Sequence, residues 1–191
     1  MSIPLTKIDA ARRQLATAIN LLFNGGDPVS IYSLATNAWE IIDTLCERKN
    51  IDSASAQTRE HLPEGKLLKR DYINSPYRNF FKHADRDPEA VLIDFSETSA
   101  DSVLFLAVED YIRLLKKSPV EFQVFQLWYL AIHIEKIDPD TSKEISESIN
   151  LAFPSIRELP RRGRLAAGRE ILNEARHDQE LLKDSRTEPV I

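Results

Sequence analysis

Residues 119–132 read PVEFQVFQLWYLAI, and this stretch indicates how the whole chain folds. In a helical conformation its apolar side chains, among them Phe125 and Trp128, fall on most sides of the helix. Such a helix lies inside a protein, because no face of it is suited to water. Ser118 and Pro119 are suited to begin this helix, as its cap and its first residue. We therefore predict a central helix around which the rest of the chain packs.

The segments nearer the N-terminus have the residue spacing of amphipathic helices. Apolar residues recur every three or four positions over residues 8–22 and again over residues 31–45. Gly25 and Gly26 end the first pattern, and Asp27 with Pro28 begins the second. No stretch alternates between apolar and polar residues as a β-strand does. The sequence therefore predicts an all-α protein, an antiparallel bundle of about six or seven helices.

The length and composition allow one good-sized domain. The chain has 191 residues, of which 42% are apolar and 29% are charged, as in ordinary globular proteins. We predict a single helical domain over residues 1–177 and a flexible C-terminal tail over residues 178–191, where little apolar surface can be buried. The polar residues 50–65 are predicted to form a loop, and residues 88–98 an extended or irregular segment.

Several features of the sequence argue against whole classes of protein. No apolar stretch is long enough to span a bilayer, and residues 1–7 lack the apolar core of a signal peptide. The single cysteine, Cys46, excludes an internal disulfide and suits a reducing cytosol. The four histidines have no metal-pair spacing. We therefore expect a cytoplasmic protein that is not bound to a membrane and has no metal and no cofactor.

The charge of the chain is negative overall but unevenly distributed. The net charge is −5, whereas residues 66–87 and residues 157–176 each carry a net +3. A negative net charge argues against broad coating of nucleic acid, while a basic island still permits local contact with phosphate. For the island at residues 157–176 we favour a solvent-exposed helix face without such a role.

The stretch with the clearest chemical potential is RNFFKH, residues 78–83. It places a permanent cation, Arg78, an amide, Asn79, and a titratable imidazole, His83, within six residues. A guanidinium binds phosphate in a bidentate fork, and an imidazole takes or gives a proton near neutral pH. On one straight helix Arg78 and His83 would lie about 140° apart. Both therefore reach one phosphorus atom only if the helix ends near His83 or a second chain contributes.

The spacing of Arg78 and His83, with Asn79 directly after the arginine, resembles the signature of the HEPN superfamily of all-α ribonucleases and nucleotide-binding domains. The resemblance covers this motif and the helical class. It implies a metal-independent endoribonuclease, in which His83 removes the proton of a ribose 2′-hydroxyl and Arg78 stabilises the charge of the transition state. Asn79 would hold a phosphate oxygen or orient the imidazole. DNA would be spared, because it lacks the nucleophile.

The resemblance also has implications for assembly and biological role. HEPN-like proteins dimerise so that motifs from two chains line one cleft, and we accordingly expect a homodimer. Such proteins often act as toxins or in defence, so a neutralising protein partner is also expected.

Five further residues complete the predicted site. Lys82, Lys69 and Arg70 are candidates to follow the RNA backbone. Asn37 lies on the apolar stripe of the second helix, and Glu40 lies one turn further on. Both are candidates to orient Arg78 or His83, although for Asn37 we favour a hydrogen bond that caps a neighbouring backbone group.

Two other functions remain open at this point. The chain could be a non-catalytic helical protein-interaction module, in which Arg78 pairs with a surface carboxylate and His83 merely ends a helix. It could also be a nucleotide-binding domain that uses Arg78 without cleaving RNA.

Overall fold

The structure is a computed structural model that describes residues 3–136 and 139–189, and within these it contains nine α-helices and no β-strand. The predicted all-α class is therefore confirmed. The helices are α1 Lys7–Phe23, α2 Pro28–Arg48, α3 Ala54–Glu60, α4 Asn79–Lys82, α5 Asp101–Leu115, α6 Val120–Ile132, α7 Pro139–Ala152, α8 Arg161–Ala175 and α9 Gln179–Lys183. The count exceeds the predicted one because α3, α4 and α9 are short helices with no clear periodic pattern. None of the described helices combines the length and the apolarity needed to cross a bilayer.

The starts and stops of the first two helices follow from local chemistry. Thr6 and Asp9 cap α1 reciprocally, each side chain accepting a hydrogen bond from the backbone N–H of the other. After α1 the chain turns at Gly25, whose φ of 67° favours glycine. Asp27 then caps α2 by accepting a hydrogen bond from the Ser30 backbone N–H at 2.7 Å.

The core lies between α2, which packs on α1 and α5, and α6, which contacts α1, α5, α7 and α8. Phe125 and Trp128 of α6 are fully buried, as is Trp39 of α2. The central position predicted for the stretch at residues 119–132 is therefore confirmed. Even so, Glu121 in the first turn of α6 is only 3% exposed, and its charge is paired there with that of Arg176, the C-terminal cap residue of α8.

The polar residues 50–65 were predicted to form a loop, but they contain α3. Ser53 caps this helix by accepting a hydrogen bond from Ala56 N–H at 3.0 Å. Ser55 fixes it to the core, because its N–H and Oγ both donate to the buried carboxylate of Asp110 on α5, at 3.0 and 2.5 Å. The helix therefore depends on a partner that is distant in sequence.

The segment at residues 178–191, predicted to be a flexible tail, has a defined place on the helical body as far as residue 189, and residues 190–191 lie outside the described part. It contains α9, and its Glu188 is only 5% exposed. The Glu188 carboxylate accepts hydrogen bonds from Tyr111 at 2.7 Å and from Arg12 at 3.3 Å. The Glu188 backbone N–H also donates to the Ser118 carbonyl at 3.0 Å. Polar contacts thus hold a segment that has little apolar surface to bury.

The basic island at residues 157–176 is less exposed to solvent than we expected. Arg161 forms an ion pair with Asp101, and its guanidinium lies over the Trp128 ring, 5.6 Å from the ring centre. Arg164 donates to the carbonyls of residues 159 and 157 at 2.8 and 2.9 Å. Arg161 therefore secures α8 to the body and Arg164 binds the turn that precedes the helix, whereas the other three arginines of residues 157–169 are exposed as predicted.

Candidate functional site

The predicted motif lies where a bent helical segment ends. The helical segment Leu68–Arg78 leaves helical geometry at Ser75 (φ −103°, ψ 138°), and the Ser75–Pro76 peptide bond is cis. The short helix α4 follows directly and ends at Lys82. His83 is its C-terminal cap residue, with φ −124° and ψ 65°. The bend at Ser75 precedes both Arg78 and His83, and the helix ends directly before His83.

Four aromatic rings hold this segment against α2. Tyr32 of α2 meets Tyr77, Phe81 and Phe95 edge-on, with ring centres 5.5 to 6.0 Å apart. The Tyr32 hydroxyl also donates to the Ile73 carbonyl at 2.9 Å. Rings in edge-to-face contact pack with defined geometry, so the position of Arg78 relative to α2 is well determined.

Arg78 is buried among polar groups. The residue is 8% exposed. Its Nη1 donates to Asn74 Oδ1 and its Nη2 to Asn37 Oδ1, each at 3.0 Å. Nη2 also lies 2.5 Å from Oε2 of Glu40, with which it forms an ion pair. The guanidinium is thus held by two neutral amide oxygens and by one carboxylate.

Glu40 links Arg78 to a second cation. Its other oxygen, Oε1, lies 2.5 Å from Lys69 Nζ. Burial alone would raise the pKa of Glu40, but the hydrogen bonds and charges of Lys69 and Arg78 outweigh this, and the pKa lies below its ordinary value. Glu40 is therefore an ionised group that two cations share.

His83 is the accessible member of the motif. Its side chain is 38% exposed, and Nδ1 lies 3.9 Å from an oxygen of the exposed Asp85. Asn79 is half-buried and Lys82 is exposed on α4 between the two motif ends. A side chain with this exposure can be approached by a solute without rearrangement of the core.

The structure thus brings together some of the predicted residues and separates others. Asn37, Glu40 and Lys69 gather at Arg78 in one connected polar cluster. Arg70 is held elsewhere, because its guanidinium pairs with Asp71 at 2.9 Å and donates to the Gly65 carbonyl at 2.8 Å. Arg70 is therefore not part of the cluster, and its contact with the RNA backbone stays a prediction.

Asn74 is a member of the cluster that sequence reasoning missed. Asn74 lies before the bend at Ser75 and Arg78 lies after it, so their contact depends on the bend and not on regular helical spacing. No sequence pattern could therefore have identified Asn74.

One cleft elsewhere in the structure also has room for a ligand. A cleft of about 940 Å³, lined mainly by apolar side chains, lies between α3, the segment Leu68–Arg78 and helices α5 to α7. Tyr32 and Phe105 are among its walls. In the part of the chain that the structure describes, no group of three or more His, Cys, Asp or Glu side chains is arranged to hold a metal ion.

Comparison with known proteins identifies no relative. No protein-family model, no curated protein and no solved structure matches this chain. The functional argument therefore depends on the site itself.

Proposed function

We propose that this protein is a HEPN-like endoribonuclease that cleaves RNA without a metal ion, with Arg78 and His83 as its catalytic residues. The observation that supports this most is the polar cluster around Arg78, in which Asn37, Asn74 and Glu40 orient a buried guanidinium, with an accessible imidazole five residues further on at a helix end. Preorganised charge of this kind is what a phosphate transition state requires.

In the proposed reaction, His83 acts as the general base. Its neutral imidazole takes the proton of a ribose 2′-hydroxyl, and the 2′-oxygen attacks the adjacent phosphorus. The bond to the 5′-oxygen breaks, which leaves a 2′,3′-cyclic phosphate on one product and a 5′-hydroxyl on the other once the leaving oxygen is protonated. No metal is needed, because the nucleophile belongs to the substrate.

Arg78 stabilises the negative charge that develops on the phosphate oxygens. Asn79, between the two catalytic residues, holds a phosphate oxygen or orients the imidazole. Lys69 and Lys82 are exposed and contact the RNA backbone on either side of the scissile bond. In a homodimer, Arg78 of one chain and His83 of the other would face a single phosphate.

The test is to incubate the purified protein with a labelled single-stranded RNA in EDTA, beside DNA of the same sequence. We expect cleavage of RNA alone and a loss of at least about 100-fold in rate for His83→Ala. The matched control is His177→Ala, because His177 is also an exposed histidine near a helix end, where Nδ1 contacts the Asn173 carbonyl at 2.7 Å. If wild type does not cleave RNA, or if His83→Ala cleaves it at the wild-type rate, the proposal is contradicted.

The cellular role we propose is that of a cytoplasmic toxin or defence component with a neutralising protein partner. Expression of the wild-type chain should then arrest growth, and His83→Ala should restore it. A nucleotide-binding domain without nuclease activity would instead bind a mononucleotide, leave RNA intact and be harmless.

A second candidate function, a non-catalytic protein-interaction module, is favoured by one apolar segment. Val91 and Ile93 are 80% and 92% exposed, whereas Leu92 between them is half-buried. Paired apolar side chains on one side of an extended segment suit contact with another protein. Analytical ultracentrifugation of the wild type beside a Val91→Asp/Ile93→Asp variant tests this. If the wild type assembles, the variant does not, and the wild type does not cleave RNA, the protein-interaction module is the favoured function.

A further inference from the structure

We infer that Arg78 and Lys69 form a two-cation subsite for one phosphate group, and that Glu40 occupies this subsite as an internal counter-ion that the ligand must displace. The inference rests on the proposed function, because the phosphate would be that of the RNA backbone. It adds a role for Glu40 that differs from the orienting one.

The first argument is the geometry of the Glu40 carboxylate. Its two oxygens are divided between the two cations, with Oε1 2.5 Å from Lys69 Nζ and Oε2 2.5 Å from Arg78 Nη2. Two oxygens of a phosphate can be bound by an ammonium and a guanidinium in the same way. The carboxylate therefore marks a position where an anion is bound between them.

The second argument is an unused donor on Arg78. Its Nε is buried and has no hydrogen-bond partner among the described residues. In a guanidinium, Nε and Nη2 lie along one edge and can bind two oxygens of one anion together. Glu40 meets Nη2 only, so a phosphate that replaced it would gain the Nε hydrogen bond as well.

The third argument concerns what remains when Glu40 moves away. Asn37 and Asn74 still accept from Arg78 Nη2 and Nη1, so the guanidinium stays oriented. Both are neutral amides and leave its positive charge uncompensated. Since the Lys69 side chain is 53% exposed, a phosphate can approach from that side, and the anion would be clamped by two cations.

The experiment measures binding of a short fluorescein-labelled single-stranded DNA, which offers phosphodiesters that cannot be cleaved through a 2′-hydroxyl. Glu40→Gln should bind about tenfold more tightly than wild type at the same salt concentration, a gain of about 1.4 kcal/mol. Glu47→Gln is the matched control: it changes the net charge equally, but Glu47 is 61% exposed and pairs with Arg59. We expect it to stay within about twofold of wild type. Equal affinities for the two variants would overturn the inference.

A second pair of variants keeps the inference testable should Glu40→Gln not fold. Lys69→Gln removes one cation of the subsite, and Lys66→Gln removes a lysine of nearly equal exposure, 53% against 52%. Lys66 instead lies 3.9 Å from Asp71. Lys69→Gln should weaken DNA binding several-fold more than Lys66→Gln, and equal weakening would count against the subsite.

The binding assay separates this inference from the nuclease proposal. If wild type cleaves RNA and Glu40→Gln binds DNA no more tightly than wild type, the role of Glu40 as an internal counter-ion is refuted and the nuclease proposal stands. If Glu40→Gln binds DNA more tightly than wild type but the protein does not cleave RNA, the phosphate subsite is supported and the nuclease proposal is refuted.

Discussion

Arg78 Nη2 donates a hydrogen bond to Asn37 Oδ1 at 3.0 Å, and this contact joins two residues that are 41 positions apart in the chain. It connects the arginine of the motif to the middle of α2. The cation of the candidate site is therefore positioned by a core helix and not by its own segment alone.

Replacing Asn37 by Ala should remove this acceptor while the Glu40 ion pair remains. Because the donor is charged and buried, we expect the free energy of unfolding to fall by about 1.5–3 kcal/mol. Urea denaturation measures the change. Thr44→Ala is the control on the same helix: Thr44 is exposed and donates only to the Glu40 carbonyl. Its effect should stay within about 0.5 kcal/mol, and equal losses for the two variants would contradict the role of Asn37.

Asp110 should make the stability depend on pH. It is fully buried, and burial raises its pKa from 3.8 to about 6 in spite of the hydrogen bonds from Ser55. Between these two values the folded state binds more protons than the unfolded state, so the free energy of unfolding falls as the pH rises through this window and is level above it. The loss attributable to Asp110 is about 3 kcal/mol.

The measurement is a series of urea denaturation curves from about pH 3 to about pH 7, the range that brackets both pKa values. Asp110→Asn should lack this component, so the stability of wild type relative to the variant should decline from the acidic to the neutral end. Asp94→Asn removes an exposed carboxylate and should keep the wild-type dependence. A constant difference between wild type and Asp110→Asn would show that the pKa of Asp110 is the same in the folded and the unfolded state.

Gly168 should not tolerate a side chain. A Cβ at this position on α8 would lie 2.6 Å from Cδ1 and 2.8 Å from Cζ of Phe23, which is itself 1% exposed. Gly168→Ala should therefore destabilise the fold by about 1–3 kcal/mol through overpacking. Gly163→Ala is the control on the same helix, because its Cβ would lie 3.2 Å from Cβ of Leu159 and 3.6 Å from Cδ of Pro160. We expect a change of less than about 1 kcal/mol for it, since no contact would be shorter than 3.2 Å and Ala favours a helix. Thermal denaturation distinguishes the two.

Glu188 should stabilise the whole domain although it lies close to the end of the described chain. Glu188→Ala would leave the buried Tyr111 hydroxyl and the partly buried Arg12 without their shared carboxylate. We expect a loss of about 2–4 kcal/mol in the free energy of unfolding. Glu180→Ala on the exposed side of α9 should change it by less than about 0.5 kcal/mol. Similar values for the two variants would indicate that the segment is only loosely attached.

The elements that sequence reasoning predicted are those with a strong local signal. The apolar residues on most sides of α6 required a central position, and α2 begins at Pro28, directly after the predicted cap at Asp27. By contrast, α3 is short and polar, and its contact with Asp110 joins residues that are 55 positions apart. No local pattern reveals such a partner. The burial of Glu188 escaped prediction for the same reason, because an isolated glutamate in a polar segment has the composition of a solvated tail.

The candidate site was predictable in its composition but not in its contacts. Asn37 drew attention because an amide on an apolar stripe has to find a partner, and in the structure that partner is Arg78. The division of the Glu40 carboxylate between Arg78 and Lys69 was not foreseen, because it depends on the bend at Ser75.

The attachment of Glu188 to Arg12 has a consequence for synthesis on the ribosome. The two residues are 176 positions apart, so α1 leaves the exit tunnel long before its carboxylate partner has been made. The nascent chain can assemble most of its helices, but it cannot reach its final stability until residue 188 has emerged. A translation product truncated shortly before that residue should therefore be handed to chaperones or proteases more often than one that includes it.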